Sequence, residues 1–228
     1  MTHLLVSSGS PSVTVNLSGL HSPSTSIVII IALTVLSIAP SLLILMTGFT
    51  RIFIVLGLTR NALGLQNVPP NQVIAGIALF LSLFIMAPVI SQVNHDAVQP
   101  YLHGKINATT AISAGEVPIK TWMLKQTRSN ELQVFTSTSH ETKLKPADLP
   151  MTTVIPAFVL SEVESAFVIG FIVFIPFMVI DLVVSSVLMS MGMFMLPPTL
   201  VSLPFKILLF VLVDGWALVV HSLLLSFH

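Results

Sequence analysis

Residues 162–198 read EVESAFVIGFIVFIPFMVIDLVVSSVLMSMGMFMLPP, and the placing of charge in this stretch decides the fold. Glu162 and Glu164 open it, sixteen uncharged residues (Ser165–Ile180) follow, and Asp181 interrupts. At 1.5 Å per residue those sixteen make a helix of about 24 Å. That is short of the ~30 Å hydrocarbon core which a lone spanning helix must cross. Leu182–Leu196 is one residue shorter and stops at Pro197-Pro198. Beyond it, Lys206 and Asp214 cut the run Thr199–Phe227. An ionised group at the bilayer centre costs about 2.5–3.5 kcal/mol even on insertion scales. The expectation is that these charges pair inside an assembly, and that the second apolar block packs against protein more than lipid.

The rest of the chain supports that reading. Of its 228 residues, 54% are hydrophobic and 8% charged, with a mean hydropathy of +0.97. A soluble domain carries about 25% charged residues, so an ordinary cytosolic enzyme and a disordered chain are both excluded. Nine Lys+Arg balance nine Asp+Glu, which leaves no electrostatic footprint for nucleic acid. With no cysteine, neither a disulfide framework nor a thiolate metal site is available.

Eleven of the charged residues fall between Asp96 and Asp148; the other seven are Arg51, Arg60, Glu162, Glu164, Asp181, Lys206 and Asp214. The organisation is therefore a polar extension (1–26), a first apolar helical hairpin (27–93), a polar helical segment (94–150) and a second apolar hairpin (151–228). The extension lacks the basic stretch that a secretory signal carries ahead of its apolar run. Ile27–Met46 and Ile74–Val93 are each long enough to span, with Pro40 and Pro88 expected to bend or break them. Asn71 is placed to cap the second. The short loop between them carries Arg51 and Arg60, which by the positive-inside tendency puts it in the cytoplasm and segment 94–150 outside.

No HExxH, GxSxG, GxxxxGK[ST] or GxGxxG pattern occurs, and the histidines have no helical ligand spacing, so no catalytic, cofactor or metal site is expected. Three features remain. Met189, Met191, Met193 and Met195 alternate around Gly192 and Phe194, ahead of Pro197-Pro198. Composition alone reads them as core filler, since thioether chains fit irregular gaps. Their spacing beside glycine and proline instead suits a loop which, repeated around a ring, could close a pore yet yield to a passing chain. Phe167, Phe171, Phe174 and Met178 mark one helix face, read as packing between helices. The prolines Pro40, Pro69-Pro70, Pro88, Pro156, Pro176, Pro197-Pro198 and Pro204 mark expected helix breaks.

These residues also carry a resemblance. The runs Leu45–Ile52, Arg60–Gly64 and Pro69–Val73 resemble the FliP family of bacterial flagellar export-gate proteins. The second half agrees through Ser161-Glu162, Ile180–Val183, Gly192-Met193, Met195, Pro197-Pro198, Pro204–Lys206 and Val213–Trp216, and the polar segment through Met123–Arg128. The resemblance implies an all-α fold in which broken apolar hairpins assemble into a pentameric ring in the bacterial inner membrane, at the flagellar basal body, with 94–150 as a small periplasmic helical segment. It implies no enzyme activity and no cofactor. The expected partners are sister copies, FliQ and FliR, then FlhB, FlhA and the basal-body membrane ring, with unfolded rod, hook and filament subunits as cargo. The family's pore gasket falls on Met193, Phe194 and Met195, and Met191 joins it. Phe194 stands where the family usually has methionine, Met191 where it has leucine, and Glu164 where lysine is common. A homologous virulence-injectisome subunit is the nearest alternative. An ion-coupled solute transporter would need internal repeats, and none is seen between 27–93 and 151–228.

Overall fold

The computed structural model describes residues 23–139 and 144–227. The polar extension therefore lies outside the described residues, apart from its last four positions, which open the first helix. Every regular element among the described residues is helical, and none is a strand. The described residues divide into two compact units, with the boundary between Ser41 and Leu42. Helix α1, Pro23–Leu45, runs through position 40 as a single helix.

The first helix wholly within the second unit is α2, Phe49–Ala62. This helix replaces the expected short loop between the two apolar stretches. Ile52, Val55, Leu56 and Thr59 are buried along it at i, i+3, i+4 and i+7, the stripe of a helix that faces a core. Next comes α3, Asn71–Val93, continued by a π-helical turn at Asn94–Val98 and by α4, Gln99–Leu102. Asn71 does not cap α3: Pro70 holds the N-cap position, and the Asn71 side chain turns back to Arg60.

The polar segment folds as expected into helices. Helix α5, Ala108–Gln126, is capped by the Asn107 side chain, which accepts from the Thr110 N–H at 2.8 Å. Helix α6 follows at Ser129–Thr138, and a 3₁₀ turn at Pro146–Asp148.

Helix α7, Met151–Ser190, is forty residues long, about 60 Å. It overturns the expectation of two short pieces, because Glu162, Glu164, Asp181, Pro156 and Pro176 all lie within one continuous helix. Pro88 and Pro204 likewise sit inside α3 and α8. In apolar surroundings an amide freed by breaking a helix finds no water. Continuing past a proline forfeits one hydrogen bond, whereas breaking there strands a full turn's worth of groups. The chain does turn at Pro69-Pro70 and at Pro197-Pro198, where prolines come in pairs. Helix α8, Pro198–Leu212, is followed by α9, Gly215–Leu225, bent from it by 63°. Asp214 at that bend is left-handed, φ 49°.

The core has three foci. Ile52, Val55 and Leu56 of α2 pack with Ile74 and Ala78 of α3, Ala166 of α7, and Val219 and Leu223 of α9. Ala62 and Leu63 meet Phe177 and Phe210. Met123 and Leu149 of the polar segment meet Val154 and Phe158 of α7. Two described helical stretches, Asn71–Leu102 and Met151–Ser190, are long and apolar enough to cross a membrane, and the bent pair α8–α9 makes a third candidate. Much apolar surface is uncovered by this chain. Of the aromatic stripe on α7, Phe174 packs against the focus around Phe177 and Phe210, whereas Phe167 and Phe171 are 56% and 64% exposed.

Candidate functional site

The seven charges outside the polar segment fall into a pattern that the sequence reading only partly anticipated. Helix α2 runs beside α7 in the same direction and places Arg51 against Glu162. Both are buried, at 3% and 0% exposure. The guanidinium donates Nε to Glu162 Oε2 at 3.1 Å and an Nη to Oε1, giving a two-pronged grip. Its other edge donates to the Ser226 carbonyl at 2.7 Å and hydroxyl at 3.1 Å, and its carbon lies 4.1 Å over the Phe227 ring. Phe227 in turn stacks on Trp122 and fills the space that a Cβ would need at Gly48. One arginine thus ties α2, α7 and the residues just after α9. A buried carboxylate is tolerated when its charge and lone pairs are met in this way.

Lys206 of α8 reaches Asp181 Oδ2 of α7 at 2.7 Å and the Ala62 carbonyl, past the end of the buried α2 stripe, at 3.2 Å. The Ser202 hydroxyl donates to the other Asp181 oxygen. Glu164 pairs with Arg128, a residue the sequence reading did not single out and which stands 36 positions away. Arg128 also places its backbone N–H on the buried Ser161 hydroxyl at 3.0 Å. These three pairs close within a single chain, whereas the expectation was that the charges pair inside an assembly. Two charges remain. Arg60 donates to the Pro69 carbonyl at 3.0 Å and to Asn71 Oδ1 at 2.7 Å, but meets no carboxylate among the described residues. Asp214 is exposed and makes no ion pair among the described residues.

Between α7 and α8 the chain forms a loop over residues 191–197. Gly192 takes φ +74°, with no neighbour within 4 Å of the position a Cβ would occupy. Its N–H donates to the Met189 carbonyl at 3.1 Å and that of Met193 to Leu188 at 3.0 Å, a Schellman-type close of α7. Pro197 and Pro198 start α8, where a missing N–H costs nothing. The loop is thus fixed at both ends while its side chains point outward: Met195 is 96% exposed, Phe194 77% and Met191 65%. Met193 and Met191 also border an apolar groove of about 630 Å³ between α7 and α8, with Val183, Val187 and Phe205 on its walls.

Comparison with known proteins gives a consistent result. A family model described as the FliP family matches residues 32–223. Flagellar biosynthetic protein FliP of Bacillus subtilis (strain 168) is 54% identical over 205 residues, 90% of this chain and 93% of that protein. The protein of the same name from Pectobacterium carotovorum is 49% identical over 212 residues, 92% of this chain and 82% of its own. That from Aquifex aeolicus is 48% identical over 206 residues, 89% and 86%.

Proposed function

The chain belongs to the FliP family, and on that premise we propose that it is a pore-forming subunit of the flagellar type III protein export gate in the bacterial inner membrane. Unfolded rod, hook and filament subunits pass through the gate during flagellum assembly. The chain works in a homopentameric ring with FliQ and FliR, beside FlhB, FlhA and the basal-body ring, and segment 94–150 faces the periplasm. The flagellar names of the relatives favour this over an injectisome role.

The observation that carries the reading is the loop 191–197. It is a fixed turn at the tip of two apolar helices that leaves Met191, Phe194 and Met195 largely uncovered by the described residues, with Met193 partly covered at the edge of the α7–α8 groove. Unbranched thioether chains conform to irregular surfaces, so a ring of such loops seals against small ions and yields to an extended polypeptide. The closed charge pairs suit the same role, because they let α2, α7 and α8 hold together while their outer faces stay apolar.

The test replaces Met191, Met193 and Met195 together by Ala. Ion flux through resting gates should rise while flagellar subunits are still exported. If resting permeability stays at the wild-type level, the methionines are packing residues and the gasket role is wrong.

A further inference from the structure

Of the seven charges carried by the apolar blocks, five are neutralised within the chain: Arg51 by Glu162, Lys206 by Asp181, and Glu164 by Arg128 of the polar segment. The two left over, Arg60 and Asp214, have opposite signs. Both also flank the same focus of the core. Arg60 precedes Ala62 and Leu63, Asp214 follows Phe210, and those three residues pack together with Phe177. They therefore lie at about the same level of the second unit, yet the chain does not join them.

We propose that Arg60 of one copy pairs with Asp214 of the neighbouring copy, so that this level of the molecule is an interface between copies. The inference rests on the ring assembly proposed above and names the contact that closes it. Three features support it. An unneutralised charge beside apolar surface is expensive, and the expense falls only when a partner of opposite sign arrives. Neighbours around a closed ring are related by rotation about its axis, so a heterologous contact between them joins different residues at matching height. Finally, Asp214 is exposed and Arg60 half-buried, and neither meets a charge of opposite sign among the described residues. The Arg60 guanidinium is held by Pro69 and Asn71 on one edge, while its Nε has no partner. Asp214 takes the left-handed conformation, φ 49°, which aspartate adopts more readily than most residues, at a bend where its side chain makes no capping hydrogen bond. The flanking surface is apolar, with Leu212 and Val213 74% and 51% exposed, and a covered ion pair there would fix register.

The experiment uses the full chain in detergent and a charge reversal. Arg60→Asp alone and Asp214→Arg alone should each lower ring yield about tenfold or more, the usual scale for removing one partner of a desolvated interfacial pair, and the double reversal should restore it. Because the chain has no cysteine, Arg60→Cys with Asp214→Cys gives a second, unambiguous readout. A short bismaleimide should convert the double variant to a ladder of linked copies and leave each single variant unlinked. A wild-type ring whose double-cysteine variant stays unlinked, or whose double reversal assembles no better than the singles, overturns the pair while leaving the ring reading intact. A wild-type chain that runs as a monomer overturns both.

Discussion

Lys206 and Asp181 share one ion pair but not one environment. The lysine side chain is 5% exposed and the aspartate 29%, so the two partners respond differently to being left alone. Asp181→Ala leaves an ammonium in apolar surroundings, with the Ala62 carbonyl as its remaining acceptor. The expected cost is about 3–5 kcal/mol, the range for stranding one member of a buried pair. Lys206→Met leaves a carboxylate that keeps the Ser202 hydroxyl and some water, and replaces the lysine stem with a chain of similar volume, so it should cost clearly less. Thermal unfolding of the detergent-solubilised protein measures both variants. Equal losses would mean that water does not reach Asp181 when its partner is gone.

Helices α2 and α7 lie so close at Gly170 that a Cβ there would run into the Leu58 side chain. Gly170→Ala should therefore destabilise by about 1–3 kcal/mol, the usual range for overpacking, although alanine is the better helix former. Adding Leu58→Ala should recover part of that loss, and the cycle read by thermal unfolding isolates the contact. If Gly170→Ala melts like the wild type, the two helices have room to part. This contact belongs to an element that hydropathy alone concealed. Two arginines and a flanking glycine made residues 49–62 look like a connection between spans. The signal that reveals a helix was nonetheless present, in the i, i+3, i+4, i+7 spacing of Ile52, Val55, Leu56 and Thr59. The helical polar segment and the loop at 191–197 were legible because periodicity, glycine and paired prolines act locally. The partners of Glu162 and Glu164 were not, since pairings across 111 and 36 positions depend on how helices pack. Single prolines misled for a related reason: their local cost was visible, and the larger cost of ending a helix without water was not.

Across the whole molecule, Glu162 and Asp181 stand nineteen residues apart on α7, about 28 Å along its axis, close to the ~30 Å of a hydrocarbon core. Each is neutralised from within the chain; Glu164, just inside the Glu162 end, keeps its pair with Arg128 at the surface, so the uncharged α7 surface from Ser165 to Ile180 can face lipid or a sister copy. Phe167 and Phe171 lie on that stretch, 56% and 64% exposed, and exposed apolar surface of this kind marks either a membrane or a protein contact. The two possibilities give different masses. If sister copies cover the face, the detergent-extracted particle should weigh about five times the 24.6 kDa chain, apart from bound detergent. Phe167→Ser with Phe171→Ser should then shift it towards a single chain. Helix content should be unchanged, because these side chains support little inside the subunit. The alanine triple at Met191, Met193 and Met195 should keep the full mass, because a seal that opens for cargo cannot also be what holds the ring together. A Phe167/Phe171 variant of undiminished mass would assign that face to lipid tails and move the subunit contacts elsewhere. A Met triple that falls apart would make the loop an assembly element instead of a valve.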